Sequence, residues 1–252
     1  MNESIPDRPH RRKRSPTPSE RKSVRSITGK LPTLCILLVS LGLIVMGTRM
    51  SIAGLAHYQT QAFLNNWVAG AQEPNPRAWS VAEGAAQRAV AWYPVANGSY
   101  FEQLGLVYAW RQFRHPYGAA DAQASRVSAL DAYRAAVHAR PTWPDAWARL
   151  AHAKLYLLAF DDEFDHALLQ ASVLGPWRIG INRELTEIGF TAWPQLDVTQ
   201  RVVILELARR TVAYNAAEAK RTYQLAEYTG MTDVLCQSLN TSLRTNRGLC
   251  QE

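Results

Sequence analysis

One long apolar segment stands apart from the rest of the chain. Residues 31–48 read LPTLCILLVSLGLIVMGT, eighteen positions without a charged side chain. A helix rises about 1.5 Å per residue, so this run covers roughly 27 Å, and it lengthens if Arg49 extends its guanidinium toward lipid headgroups. The pattern predicts one transmembrane helix over residues 31–53. Two alternatives stay open at this point: a cleaved signal peptide, and a buried helix of a soluble protein.

The pattern beyond the apolar segment is typical of helices, because little alternation of the strand type occurs. Helix-favouring Ala, Leu, Arg, Glu and Gln are frequent, and Pro and Gly mark the breaks. The predicted helices cover residues 50–70, 78–92, 98–112, 124–139, 144–158, 162–174, 179–192, 197–213, 215–229 and 231–244. We therefore expect an all-α fold. Its predicted parts are a disordered basic tail at 1–30, the membrane helix at 31–53, a linker helix at 54–77 and a repeat domain at 78–252.

A spacing of about 34 residues within this domain indicates helical repeats of the tetratricopeptide (TPR) type. In such a repeat the second helix carries a small residue, an aromatic residue and another small residue before a terminal proline. Three sets of residues have the spacing of these positions: Ala82, Ala86, Ala89 and Pro94; Ala129, Tyr133, Ala136 and Pro141; and Phe164, Leu168, Ala171 and Pro176. The large positions of first helices are matched by Phe101, Leu104, Gly105 and Tyr108, and by Trp147 and Leu150. The pattern predicts a TPR-like α-solenoid, and an irregular helical bundle is the alternative.

Four short elements give a more specific resemblance. They are RPTWP at 140–144, FDDEF at 160–164, LGPW at 174–177 and WPQL at 193–196. With the sequence around them, over roughly residues 80–196, they resemble the VpsP-type family of membrane-anchored proteins encoded with bacterial exopolysaccharide biosynthesis genes. The resemblance implies an envelope polysaccharide context, and it carries no catalytic residues over to this chain.

The distribution of charge predicts an orientation in the membrane. The 252-residue chain has a formal net charge of +7, of which residues 1–30 hold +6 and the remaining 222 residues only +1. A nearly neutral folded part disfavours a DNA-binding domain. Basic residues beside a membrane helix stay in the cytoplasm, and residues 57–73 on the other flank contain no Lys or Arg. We expect a single-pass protein of the bacterial inner membrane, with a cytoplasmic N-terminus and a periplasmic domain.

Three cysteines fall in two different settings. Cys35 lies in the apolar segment and is interpreted as an ordinary small apolar residue. Cys236 and Cys250 lie in the part expected outside the cytoplasm, where oxidising conditions permit pairing. A disulfide between them and two free thiols both remain open from the sequence.

The sequence contains no motif that indicates catalysis. No nucleophile elbow, zincin helix or phosphate-binding loop occurs in a suitable context, so we expect no enzyme activity, cofactor or metal site. His138, His152 and His166 do not have the spacing of metal ligands along a helix. The acids at 161–165 lack the glycine and closing Glu of an EF-hand, and Asp161 or Asp162 is expected to cap a helix instead.

Two function hypotheses follow. The first is a scaffold or adaptor whose groove, lined by first helices, holds a segment of another envelope protein. Its candidate groove residues are Gln103, Tyr108, Arg111, Arg149, His152 and Tyr156. The second is direct glycan binding by exposed aromatic residues, for which Trp143 and Trp177 are the candidates because they lie beside prolines at helix junctions. A weaker alternative is an assembly factor for another envelope complex. No nucleic-acid partner is expected.

Overall fold

The computed structural model describes the backbone of residues 18–250 and the side chains of residues 32–250. Within that range every regular element is helical, as the sequence predicts. The helices are α1 (Pro18–Gly70), α2 (Pro76–Trp92), α3 (Gly98–Trp110), α4 (Gln123–Ala139), α5 (Pro144–Leu157), α6 (Asp162–Leu174), α7 (Ile179–Thr191), α8 (Val198–Tyr214), α9 (Ala216–Thr229), α10 (Thr232–Ser238) and α11 (Thr241–Arg247). Short 3₁₀ segments lie at Ala120–Ala122 and Trp193–Gln195.

The first part of α1 is the apolar segment. Over Pro32–Gly70 the helix is long and apolar enough to cross a membrane, and none of its most apolar window is buried. Backbone hydrogen bonds stay within a helix, so an apolar helix can cross lipid without leaving polar groups unsatisfied. The helix begins at Pro18, within the range 1–30 that the sequence predicts to be a disordered tail. Residues 1–17 lie outside the described range.

The second part of α1 belongs to the compact unit that begins at Arg49. Its buried residues recur every three or four positions, as one helix face packed on a core requires. They are Ala53, Ala56, Thr60, Leu64 and Trp67. Leu64 and Trp67 share a core cluster with Trp79 and Ala82 of α2 and Val107 of α3. Residues 54–70 are therefore a packed part of the domain, which differs from the linker helix expected at 54–77.

Side-chain caps explain where several of these helices begin. Asn75 accepts a hydrogen bond from the Ala78 amide at 2.8 Å, and Pro76 follows in the first turn of α2. Asn97 caps α3, and Asp197 forms a capping box with Gln200 at the start of α8. Each cap satisfies amides that have no carbonyl partner within the helix. Asp161 caps α6, as one of the two sequence alternatives predicted.

Each helix from α2 to α9 packs against the next one along the chain. Further contacts join helices that are two positions apart. Helices α3, α5, α7 and α9 contact one another in succession, as do α6, α8 and α10. The closest approach between α3 and α4 depends on Gly105, because a Cβ at that position would overlap the buried ring of Tyr133. Gly105 and Tyr133 thus fix the spacing of the two helices that border the candidate site.

The C-terminal segment departs from the prediction of one helix over 231–244. It forms α10 and α11, separated at Leu239 and Asn240. The Asn240 side chain accepts from the Leu243 amide at 2.7 Å, so it starts a new helix where the sequence pattern suggested a continuous one. A disulfide joins Cys236 of α10 to Cys250 after α11, with Cα atoms 5.8 Å apart.

Candidate functional site

A cavity of about 140 Å³ lies between α3, α4 and α5. Its wall comes mainly from residues spaced three or four apart on these helices, the spacing that brings side chains to one face. The lining residues are Leu106, Ala109, Trp110 and Phe113 from α3 and the turn after it, Arg126, Ala129 and Tyr133 from α4, and Arg149, His152, Ala153 and Tyr156 from α5. Most of this surface is apolar or aromatic, with the charged groups confined to Arg126, Arg149 and His152.

Aromatic contacts hold the cavity wall in place. The Trp110 and Phe113 rings have centroids 4.5 Å apart, and the His152 ring stacks on Tyr156 at 5.1 Å. Tyr156 also contacts Tyr117, at 4.9 Å, in the segment that connects α3 to α4. Burial raises the pKa values of Tyr156 and Tyr133, so both phenols remain neutral at physiological pH. The aromatic part of the wall is therefore uncharged at physiological pH.

A carboxylate from a neighbouring helix orients the two α5 polar residues. Glu184 of α7 lies 3.3 Å from Arg149 Nη1 and 3.3 Å from His152 Nδ1. Burial alone would raise the pKa of Glu184, but Arg149 and His152 outweigh burial and lower it. The attraction of Glu184 likewise raises the pKa of Arg149. Glu184 therefore stays ionised, and it orients the side chains of Arg149 and His152 on the α5 face.

Arg149 and His152 each retain one buried polar atom without a partner. Arg149 Nε and His152 Nε2 form no hydrogen bond with any residue in the described part of the chain. A buried donor or acceptor left unpaired costs about 1–3 kcal/mol. Both residues line the cavity, so its wall includes two residues that each carry an unpaired polar atom.

Arg126 shapes the cavity through its backbone contacts. It is 5% exposed, and its guanidinium donates to the carbonyls of His115 at 2.6 Å, Pro116 at 2.8 Å and Tyr156 at 3.1 Å. Burial lowers the pKa of Arg126. Arg126 therefore joins the segment between α3 and α4 to the end of α5, beside the cavity.

Three of the six predicted groove residues lie at the cavity. Arg149, His152 and Tyr156 form its α5 face. Gln103 was expected to be exposed, but it is buried and donates to Gln61 of α1. The sequence pattern predicts a linker helix at 54–77, so it does not indicate that α1 covers Gln103.

Tyr108 and Arg111, which the sequence also predicts as groove residues, are not among the residues that line this cavity. The Tyr108 hydroxyl accepts from Gln87 of α2 at 3.2 Å, and the Arg111 guanidinium lies 4.5 Å from the centre of the Trp79 ring. Both therefore face α2. The cavity residues of α3 are instead Leu106, Ala109 and Trp110, which the sequence reasoning did not select.

The two predicted aromatic candidates lie in different environments. Trp143 is half-buried, and the guanidinium groups of Arg140 and Arg178 lie 3.8 Å and 4.6 Å from its ring centre. Trp177 is 80% exposed, with Arg210 at 4.5 Å from its ring centre. Trp177 is therefore the more accessible of the two indoles.

Comparisons with family models and with curated proteins find no match to this chain.

Proposed function

We propose that the chain is a single-pass, membrane-anchored adaptor without enzyme activity, which holds a segment of another envelope protein in the cavity between α3, α4 and α5. The observation that carries this proposal is the open cavity with two unpaired polar atoms, Arg149 Nε and His152 Nε2. The proposed setting is exopolysaccharide biosynthesis or export at the bacterial inner membrane.

The size of the cavity favours one large apolar side chain as the occupant. A cavity of roughly 150 Å³ lined by apolar residues holds a benzene ring, and the present volume is about 140 Å³. The Trp110, Phe113 and Tyr156 rings offer faces and edges for an aromatic or branched side chain. A carbonyl or carboxylate oxygen beside that side chain would accept from Arg149 Nε. Buried anchors of this kind carry most of the binding energy at protein interfaces.

The arrangement of small and large residues supports a TPR-like array. Gly105 of α3 receives the Tyr133 ring of α4, and Ala129 and Ala136 on either side of Tyr133 are fully buried. In arrays of this type the first helices of successive repeats line the groove. In the proposed array α3 and α5 are such first helices, and they supply most of the cavity wall.

Charge and resemblance support the proposed location. The +6 leader precedes the apolar segment, and after Arg49 the following flank lacks Lys and Arg from residue 50 to residue 76, which favours a cytoplasmic N-terminus and a periplasmic domain. The resemblance of residues 80–196 to the VpsP-type family supports a role with a polysaccharide assembly system.

Site-specific photocrosslinking in cells tests the adaptor function. A benzoylphenylalanine at Phe113, in the cavity wall, is expected to join the chain to one envelope protein, and mass spectrometry of the product is expected to place the bond beside an apolar side chain. The same group at Tyr228, which is exposed on α9, serves as the positional control.

A pair of Ala→Leu substitutions tests whether the cavity itself is occupied. Ala153→Leu adds three carbons to the cavity wall and is expected to remove the crosslink, whereas Ala124→Leu on the exposed side of α4 should leave it intact. An unchanged crosslink in Ala153→Leu, or equal products from Phe113 and Tyr228, would contradict binding in the cavity.

Glycan binding at Trp177 is the second candidate function, because this indole is 80% exposed and its ring is held against Arg210. Indole faces stack on the apolar faces of sugar rings, and Trp177 offers such a face. Titration of the purified chain with the producing cell's polysaccharide should give binding that Trp177→Ala abolishes. Trp143→Ala is the matched comparison, and equal loss in both variants would argue against a specific Trp177 site.

A further inference from the structure

The corner between α2 and α3 is uncharged and partly apolar on its surface. Residues 89–101 read AVAWYPVANGSYF, thirteen positions without Asp, Glu, Lys or Arg. Trp92 is 43% exposed and Val95 is 66% exposed. We use the name apolar corner for residues 91–96, which end α2 and form the turn toward α3. A soluble surface seldom leaves a large aromatic and an aliphatic side chain exposed together without a use for them.

Arg49 connects this corner to the residue that ends the apolar segment. It follows Thr48 directly in α1, and its side chain donates to the carbonyls of Trp92 at 3.3 Å and Ala91 at 3.5 Å. These carbonyls belong to the last turn of α2, where the helix dipole favours a cation. The apolar corner therefore lies within one arginine side chain of the residue that directly follows the uncharged segment 31–48.

The neighbouring surface has the composition of a membrane interface. On α1, Leu55 and Tyr58 are largely exposed, and residues 50–72 contain no acidic or basic side chain apart from His57. Tyr93 of the corner packs edge-on against Tyr100 at 5.1 Å. Tryptophan and tyrosine concentrate at the headgroup level of bilayers, where an apolar ring and a polar atom are both solvated well.

The sign of the nearby charges is also informative. Arg49 and Arg88 are the cations that border the corner along α1 and α2, and the nearest acid after it in sequence is Glu102. The Arg88 side chain donates to Gln59 of α1 at 3.3 Å, so its charge is not neutralised by that contact. Basic residues close to a membrane surface are attracted to anionic lipid.

We propose that the apolar corner rests in the headgroup layer of the membrane from which α1 emerges, with Trp92 and Val95 as the inserted side chains. The partner is a lipid surface, preferably an anionic one. The domain is thereby held against the bilayer at two points, through α1 and through the corner. This inference rests on the membrane-anchored part of the proposed function and is independent of what the cavity binds.

Spin labels on the full chain in lipid nanodiscs test the proposal. Labels are attached to single cysteines introduced by Val95→Cys, Val173→Cys and Leu38→Cys, each with Cys35→Ser, under conditions that keep the Cys236–Cys250 disulfide. Val173 is 72% exposed on α6 and reports a site away from the corner. Collisions with oxygen, which dissolves in lipid, are compared with collisions with a water-soluble nickel complex.

The label at Val95 is expected to favour oxygen over nickel several-fold more than the label at Val173, and more strongly in discs that contain phosphatidylglycerol than in phosphatidylcholine alone. Introducing Trp92→Asp should shift the Val95 label toward nickel accessibility. If the label at Leu38 lies in lipid while Val95 is as accessible to nickel as Val173, the corner proposal is overturned and the membrane anchor stands. If the label at Leu38 is itself accessible to nickel, the anchor and the corner proposal both fall.

Discussion

The ammonium group of Lys154 on α5 lies 2.6 Å from a carboxylate oxygen of Glu163 on α6, and the lysine side chain is only 3% exposed. Lys154 also pairs with Asp161, whose other role is to cap α6. Glu163 in turn accepts two hydrogen bonds from Arg134 of α4, at 2.7 Å and 2.8 Å. One carboxylate therefore joins three consecutive helices, α4, α5 and α6.

The cluster predicts a stability that declines in acid. Hydrogen bonds from Arg134, and pairing with Lys154, lower the pKa of Glu163 from 4.5 to about 2. A carboxyl whose folded pKa is depressed stabilises the protein fully above its unfolded pKa, and that contribution is lost as the pH falls from about 4.5 toward 2. Glu163→Gln should reduce the free energy of unfolding by about 1 kcal/mol near neutral pH, since Glu163 is one-third exposed.

Urea unfolding of both proteins at several pH values measures this effect. The curves of the parent chain and Glu163→Gln are expected to approach each other as the pH falls below about 4.5 and to converge only at about pH 2, where the carboxyl of the folded parent chain becomes protonated. Glu227→Gln, at an exposed position of α9, is the matched control. A difference that stays constant from neutral to acid pH would contradict the ionic role of Glu163.

The contact between Gly105 and Tyr133 predicts opposite effects of the same substitution at two helical glycines. Gly105→Ala places a methyl group into the Tyr133 ring and should destabilise the fold by about 1–3 kcal/mol. Gly84→Ala in α2 meets only the end of the Arg88 side chain, so it should stabilise by up to about 1 kcal/mol through helix propensity. Thermal unfolding followed by circular dichroism measures both. Equal melting temperatures for the two variants would be incompatible with the packing.

The sequence predicted the bounds of the helices better than it predicted the residues of the candidate site. Proline and glycine breaks gave the bounds of α6 to the residue and those of most other helices to within two, because caps and helix-ending prolines act locally. The separation of α10 from α11 was missed, since it depends on a single Asn240 side chain in an otherwise helical pattern.

The cavity could be predicted only in part because its wall combines three helices. Spacing along α5 correctly brought Arg149, His152 and Tyr156 to one face. The face of α3 that lies opposite α5 depends on where α1 and α2 pack. The sequence could not predict this face because its pattern indicates a linker at 54–77. Glu184, which orients Arg149 and His152, lies 35 and 32 positions away in sequence, and no local signal marked that contact.

The ion pair between Arg149 and Glu184 determines which substitutions in the cavity can separate a loss of binding from a loss of stability. Arg149→Glu would place two carboxylates together at a site where Glu184 is only 15% exposed, so it should lower stability as well as binding. Arg149→Gln with His152→Ala removes both unpaired polar atoms without adding a charge. That double variant is expected to weaken the Phe113 crosslink at least several-fold with a smaller loss of melting temperature. Retention of the full crosslink would indicate that the occupant does not use these atoms.

The disulfide between Cys236 and Cys250 predicts a redox-dependent stability of the C-terminal helices. The cysteines are 14 positions apart, and closing a loop of about this length contributes roughly 3 kcal/mol in the chain-entropy model. Mass spectrometry of the unreduced chain should show the linked peptides. Reductant is expected to lower the melting temperature of the parent chain and to leave that of Cys236→Ser with Cys250→Ser unchanged, and two alkylatable thiols in the unreduced chain would exclude the pairing.

The charge asymmetry around α1 predicts that the helical domain is exported while the leader remains inside. Positive charges resist translocation, and the +6 leader is followed by an apolar segment and then by a flank without Lys or Arg from residue 50 to residue 76. Alkaline phosphatase fused after Glu252 should therefore be active, because the enzyme matures only in the periplasm. Leu38→Arg with Leu41→Arg, which interrupts the apolar segment, is expected to abolish that activity at equal expression. An N-terminal epitope tag should remain on the full-length chain in the membrane fraction, whereas its loss would indicate a cleaved signal peptide and an inactive fusion would reverse the orientation.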